Sequence, residues 1–302
     1  MTTPDPRPKT TESPNPRSAD LDTMDAAAVV RLMNDEDRGI AEVVGQQAVQ
    51  ITRAVERIAG RLRAGGRLLY CGAGTSGRLG MLDAAECRPT FSAPAGQVIG
   101  LIAGGERAML RAVEGAEDDE PQGRADIVES AVNEKDCVVG ISASGSTPYV
   151  LGGLAQAREL GAATVAIVCN HGSPIAAACD LPIEIVVGAE VLTGSTRLKA
   201  GTATKMVLNM LSTGTFVQLH KVYRNYMVDL QASNEKLRQR SVRIVRDAAS
   251  VEAAEAERSV EACGGDVKRA IVTLLRSCDP QVAASLLEQA DGSVRAVVDS
   301  SD

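Results

Sequence analysis

Two short segments of the chain have the residue types, in the right order, to hold a phosphate. The first, Gly72-Ala73-Gly74-Thr75-Ser76-Gly77-Arg78, follows the apolar run Leu68-Leu69-Tyr70-Cys71 and opens a helical stretch from about Gly77 to Glu86. Backbone N–H groups at a helix start carry positive partial charge, and glycine lets an anion approach them closely. The glycine spacing would also suit a dinucleotide. Against that reading, Thr75 and Ser76 add hydroxyl donors of the kind a terminal phosphate uses, and no acidic residue ends the next strand about 20 residues on. The second segment, Ser142-Ala143-Ser144-Gly145-Ser146-Thr147-Pro148, follows another apolar run and precedes a helix, with Pro148 suited to its first turn. One serine would suffice to cap that helix. Four hydroxyls within six residues exceed the requirement. The candidate phosphate contacts are therefore Gly74, Thr75, Ser76, Ser142, Ser144, Ser146 and Thr147, with Arg78 able either to pair with phosphate or to face solvent.

The elements that must position these loops alternate. Leu68–Cys71, Val98–Ala103, Cys137–Ile141, Thr164–Cys169 and Ile183–Val187 read as short buried strands with helical segments or turns between them. That order predicts an α/β fold, a parallel sheet with helices on both faces. Two loops at the carboxyl ends of strands in one sheet would converge on the crevice where such sheets bind ligands. Upstream, apolar residues at 40, 44, 51, 55, 58 and 62 lie on one face of a long amphipathic helix that ends at Gly65-Gly66. Downstream of Gly188, the polar stretch Thr193–Thr202 feeds a helix whose apolar residues, including Met206, Leu208, Met210, Leu211 and Val217, predict burial, as between subunits. From Ala248 onward the segments are short, acidic and helical, with start signals at Gly264-Gly265-Asp266 and Asp279-Pro280. The expected division is a disordered tail over 1–20, an α/β domain over 21–247 and a small helical domain, UBA-like, over 248–302.

Composition narrows the class of partner. At 302 residues the chain has room for one main core and a small appendage. With 44% hydrophobic and 24% charged residues it is not disordered throughout. A net charge of −7 argues against nucleic acid or an anionic membrane, both of which reward a basic face. No run of about 18 apolar residues marks a membrane span, and the N-terminus lacks the apolar stretch of a signal peptide. Seven cysteines fall at 71, 87, 137, 169, 179, 263 and 278, with neither metal-ligand spacing nor a disulfide framework, and read as reduced residues of a cytoplasmic protein. His171 and His220 are the only histidines, and neither has a neighbouring acidic or cysteine pattern, so a histidine-based metal or nucleophile site is not expected.

Five stretches carry a resemblance to a known family: Gly72–Phe91 (GAGTSGRLGMLDAAECRPTF), Val113–Asp118 (VEGAED), Ile141–Tyr149 (ISASGSTPY), Glu190–Lys205 (EVLTGSTRLKAGTATK) and Met227–Leu237 (MVDLQASNEKL). In this order they resemble the N-acetylmuramic acid 6-phosphate etherases, over about residues 20 to 300. The resemblance implies a sugar isomerase (SIS) fold, a homodimer, no metal or other cofactor, and cleavage of the lactyl ether of N-acetylmuramic acid 6-phosphate to N-acetylglucosamine 6-phosphate and D-lactate. It assigns catalysis to Glu86, as the acid that protonates lactate and then activates water, and to Glu117, acting at C2. Glu114, one helical turn before Glu117, is the alternative at that position. Asn234, Glu235 and Lys236 match a polar cluster that the family retains near its active site. Which subunit completes each site stays open.

Such chemistry asks for two carboxyls. An alkoxide is a poor leaving group, so an ether is more easily lost by elimination from a ring-opened sugar whose C1 aldehyde acidifies the C2 proton; a base and an acid that exchange states suffice. Read locally, either glutamate is an ordinary solvated helix residue. Three rivals share part of the pattern: a sugar-phosphate isomerase, which needs no acid at C3; a sugar-phosphate sensor similar to the glucokinase regulatory protein, which carries two such domains where this chain has room for one; and a nicotinamide-dependent dehydrogenase.

Overall fold

A computed structural model describes residues 10–230 and 235–300, except for the side chain of Lys236. The chain forms two compact units, one of Met1–Ala84 with Gly96–Ser212 and the other of Ala85–Ala95 with Thr213–Asp302.

In the first unit, three 3-10 turns (Thr10–Glu12, Pro16–Ser18 and Leu21–Thr23) lead into helices Ala26–Asp37 (α1), Ile40–Gln46 (α2) and Ala48–Arg63 (α3). Then come Leu68–Gly72 (β1), Gly74–Phe91 (α4), Val98–Ile102 (β2), Arg107–Leu110 (α5), Glu120–Glu129 (α6) and Cys137–Ser142 (β3). Pro148–Glu159 (α7), Ala163–Val168 (β4), Pro174–Ala178 (α8), Leu181–Glu184 (β5) and Lys199–Gln218 (α9) follow. All five strands are parallel, in the order β2-β1-β3-β4-β5. This is the expected α/β sheet. Alternation sorts its side chains: Leu69, Cys71 and Val138 pack on one face with Ile127 of α6 and Val150 and Leu154 of α7. On the opposite face, Tyr70 and Ile141 lie against Gly80 of α4.

Several sequence expectations shift. The single helix expected over 40–62 is two, because Gln47 (φ −94°, ψ 10°) leaves helical geometry between α2 and α3. β5 sits two residues before the run at 183–187, starting Leu181-Pro182; as an edge strand it tolerates a proline that cannot donate to a ladder. The segment expected to be a solvated tail is packed from Thr10 onward. Thr11 is 1% exposed, and Asn15 Nδ2 donates to Glu36 at 3.0 Å and to the Ala189 carbonyl at 3.4 Å.

The second unit begins with the last turns of α4 and takes in the end of α9, where Phe91 and Phe216 stack with centroids 4.6 Å apart. A two-stranded hairpin, Val222–Tyr223 (β6) with Tyr226–Met227 (β7), precedes Glu235–Ala249 (α10), Ala253–Ala262 (α11), Val267–Leu275 (α12), Pro280–Gln289 (α13) and Val294–Asp299 (α14). Asp229 pairs with Lys221 at 2.7 Å and Lys268 at 3.0 Å. Asp266 caps α12 through the Arg269 N–H, matching the start signal there. The expected boundary at 248 falls inside α10, because Ile244, Val245 and Ala248 share one apolar core with Ala256, Ile271 and Leu287 of the following helices. The packed unit therefore starts well before the composition change.

Candidate active site

From β1 the sheet grows to β2 on one side and to β3, β4 and β5 on the other. The β1/β3 pair is thus the point where strand order reverses, and open α/β sheets bind ligands just beyond the carboxyl ends of such strands. Both sequence-predicted loops leave the sheet there, since Gly72 and Ile141 are register partners.

The first loop is compact because its glycines admit backbone. A Cβ on Gly77 would stand 2.6 Å from Ile102 Cγ1 and 2.7 Å from the Gly72 carbonyl oxygen, so only glycine lets α4 start this close to the sheet. Gly74, Thr75 and Ser76 form the first turn of α4, with Gly74 exposed and the other two half-buried. Thr75 Cγ2 lies 3.7 Å from where a Cβ on Gly201 would be, which brings the start of α9 to this loop. Arg78 turns away: its Nε donates to the Met109 carbonyl at 3.3 Å.

The second loop is built from hydroxyls. Thr147 occupies the cap position of α7 yet makes no side-chain capping bond; its hydroxyl pairs with Ser142 Oγ at 2.8 Å. Ser142 Oγ also accepts from the Gly145 N–H at 3.1 Å and meets Ser144 Oγ at 3.3 Å. Ser146 donates to Ser144 Oγ from its N–H and its hydroxyl, each at 3.3 Å. Routine helix capping is therefore not what these side chains do; they ring the loop itself. Gly145, at φ +71°, sits where a Cβ would fall 2.3 Å from Ser173 Cβ.

Beside β1, the chain leaving β2 leads through α5 to the Val113–Asp118 stretch, and its Ala103 N–H donates to the Gly72 carbonyl at 3.0 Å. Glu114 and Glu117 are not on one helix. Gly115, left-handed at φ +73°, separates Glu114 from the 3-10 turn Ala116–Asp118 that holds Glu117. Both glutamates are exposed, and Glu114 helps line an open cleft of about 590 Å³ with Gly104, Asp119 and Asp126.

Glu86 is exposed on α4, one turn beyond Asp83. Asp83 is buried and accepts the Tyr70 hydroxyl at 2.9 Å and the Lys205 ammonium at 2.8 Å. Sequence reasoning missed this residue, and likewise Glu190, fully buried, whose carboxylate takes the N–H groups of Lys199 and Ala200 at 2.9 Å and so caps α9. Burial alone would raise the Glu36 carboxyl, but the Lys199 ammonium at 2.6 Å, helped by Asn15 and Arg17, outweighs it and holds the group below its ordinary value. Lys205 lies 122 residues from Asp83 and Lys199 163 from Glu36, and no local pattern announces those pairs.

Of the polar cluster expected near the site, Asn234 lies outside the described residues, as does the side chain of Lys236. Glu235 is exposed and pairs within α10 with Arg238 at 2.8 Å, which holds its carboxyl below the usual range. Among the described residues no group of three His, Cys, Asp or Glu could hold a metal ion, and no helix is long and apolar enough to cross a membrane.

Residues 50–158 match the family described as the glucokinase regulatory protein N-terminal SIS domain, residues 121–214 the SIS domain, and residues 224–263 the C-terminal lid domain of glucokinase regulatory protein. Among solved structures, a phosphoheptose isomerase from Francisella tularensis is similar, with a TM-score of 0.49 and 15% identity over 64% of this chain and 100% of that one. Closer likeness comes from curated relatives. The N-acetylmuramic acid 6-phosphate etherase of Serratia proteamaculans is 53% identical over 95% of this chain and 97% of its own length. The enzymes of that name from Halalkalibacterium halodurans and Streptomyces avermitilis are 50% and 51% identical, each over 96% of this chain. At that identity and coverage, the chain belongs to the N-acetylmuramic acid 6-phosphate etherase family.

Proposed function

We infer that the chain cleaves the D-lactyl ether of N-acetylmuramic acid 6-phosphate, giving N-acetylglucosamine 6-phosphate and D-lactate, as a carbon–oxygen lyase of amino-sugar recycling. The observation that carries this is the near-full-length identity of 50–53% to enzymes of that name. The two loops support the phosphate end of the reading. A dianion at the mouth of β1 and β3 meets the first-turn N–H groups of α4 and the hydroxyls of Ser142, Ser144, Ser146 and Thr147, with no basic side chain required.

The chemistry follows from a ring-opened sugar anchored there. A carboxylate, assigned to Glu117, removes the C2 proton made acidic by the C1 aldehyde. The C3–O bond breaks, and lactate leaves with a proton from Glu86. Glu86, now ionised, takes a proton from water as its oxygen adds to C3, and C2 is reprotonated. The net change is one water consumed and one ether cleaved. Two exposed glutamates suit groups that must exchange protons with water between half-reactions. Glu114, Asn234, Glu235 and Lys236 are assigned to substrate binding, and Arg78, engaged by the Met109 carbonyl, is left out of the phosphate contacts.

No cofactor enters the scheme. We place the protein in the cytoplasm as a homodimer, a state to be checked by sedimentation. Incubating purified protein with N-acetylmuramic acid 6-phosphate should release D-lactate. In heavy water deuterium should enter at C2, and solvent oxygen should enter the sugar at C3, not the lactate. Solvent oxygen in lactate would overturn the elimination route. Binding of sugar phosphate without lactate release would turn the assignment to a sensor, the alternative that the regulatory-protein matches favour.

A further inference from the structure

Behind the hydroxyl loop, at the end of β4, stands one buried amide that the scheme above does not use. Asn170 is 5% exposed. Its two Nδ2 protons serve three acceptors, Thr11 Oγ1 at 3.0 Å and, sharing, the Ala143 and Ser144 carbonyls at 3.2 and 3.3 Å. Its Oδ1 accepts the Thr10 hydroxyl at 2.9 Å. The two carbonyls can only accept, which fixes which end of the amide faces the loop. Thr10 and Thr11 come from the N-terminal segment, 160 residues away in sequence from the amide that Thr10 meets. Thr10 holds the amide oxygen, and Thr11 accepts from the same nitrogen that serves the loop.

The consequence for the loop comes from peptide geometry. In a trans peptide the C=O and the following N–H point in opposite directions. Drawing the Ala143 and Ser144 carbonyls toward Asn170 therefore turns the N–H groups of Ser144 and Gly145 the other way. The Gly145 N–H meets Ser142 Oγ on that side, where the four hydroxyls also gather. Two backbone bonds reinforce the same edge, from the Cys169 N–H to the Ala143 carbonyl and from the Ile175 N–H to the Gly145 carbonyl, each at 3.0 Å.

We propose that Asn170, clamped by Thr10 and Thr11, is a positioning residue for the substrate phosphate: it orients the Ser144 amide toward the ligand, and the Gly145 amide toward Ser142, without touching the ligand. The proposal rests on the reading of this loop as the phosphate site. It makes the N-terminal segment part of the binding machinery.

The test measures KM and kcat for lactate release, with inorganic phosphate as a competing ligand, in Asn170→Ala, Thr10→Val and Thr10→Ser. In Asn170→Ala, KM and the phosphate inhibition constant should each rise about tenfold while kcat stays within about twofold, as expected when lost hydrogen bonds disorder binding donors but not the carboxyls. Thr10→Val should move both in the same direction by about threefold, and Thr10→Ser, which restores the hydroxyl, should match wild type. Unchanged phosphate inhibition in Thr10→Val and in a folded Asn170→Ala would overturn the proposal, as would a loss confined to kcat. If Asn170→Ala fails to fold, the Thr10 pair decides. Wild-type protein that neither releases lactate nor is inhibited by phosphate overturns the functional reading and this assignment with it; a working wild type matched by its variants overturns the assignment alone.

Discussion

The Ser142–Thr147 loop and the segment carrying Glu114 and Glu117 leave the same end of the same sheet, yet they are built in opposite ways. In the first, every hydroxyl has a partner within the loop, and Asn170, just past β4, and Ser173, the cap of α8, back it. In the second, the glutamates stand exposed on a short 3-10 turn entered through a left-handed glycine. Binding a dianion rewards donors fixed in advance, because reorganising them would cost affinity. Moving protons rewards carboxyls that the substrate and solvent can both reach. The difference should separate the two regions by experiment: changes in the glutamates should alter rate and spare stability, and changes in the loop should do the reverse or alter binding.

The largest expected effect lies on the exposed side. Glu86→Gln and Glu117→Gln should each lower kcat by about a thousandfold, the usual scale for losing a general acid or base, with melting temperature and phosphate inhibition unchanged. A variant that keeps wild-type turnover would remove that residue from the catalytic pair. A variant that loses stability instead would break the contrast drawn here.

On the built side, Gly145→Ala should destabilise the fold by about 3 kcal/mol, combining a left-handed backbone with a methyl forced into Ser173. Chemical denaturation would measure it, and a change below about 0.5 kcal/mol would mean that the loop is softer than its hydrogen bonds imply. Smaller still, Ser142→Ala removes a hydroxyl that meets Thr147, Ser144 and the Gly145 N–H. About 1 kcal/mol, roughly fivefold in KM, should follow, with kcat preserved.

What could be read in advance divides along similar lines. β1 and β3 announced themselves as apolar runs ending in glycine or serine, because a strand buried on both faces leaves a continuous local signal. The loops followed from those strand ends, and Pro148 marked the start of α7. Asp83 and Asn170 were invisible because Lys205 and Thr11 lie 122 and 159 residues away, while Glu190, nine residues before Lys199, lacks the spacing of an ordinary helix cap. The same blindness turned Thr10–Ser18 into a supposed tail: its composition reads as solvated, and it is bonds to Asn170, Glu36 and Ala189 that bury Thr11 and Asn15. Neither Glu86 nor Glu117 is distinguished by its surroundings in a single chain, and both rest on the five family stretches.

The mildest test asks whether the strands beneath the built loop are as sealed as the loop is ordered. Cys71 directly precedes Gly72, Cys137 opens β3 and Cys169 follows β4, and all three are buried. Burial pushes each thiol from an ordinary 9.0 up to about 12. The folded state thus favours the neutral thiol, and the unfolded chain ionises first. Well below pH 9 these groups should leave stability nearly flat; as pH rises through 9 toward about 12 stability should fall. At pH 9, with the unfolded thiol half-ionised, each costs about 0.4 kcal/mol, so the three together should lower the unfolding free energy by roughly 1 kcal/mol between pH 7 and 9. At pH 8 an alkylating reagent should label the half-buried Cys278 first and spare Cys71, Cys137 and Cys169. Rapid labelling of Cys71 in the folded protein would show that the loop it supports opens readily, and the ordered side of the comparison would lose its footing.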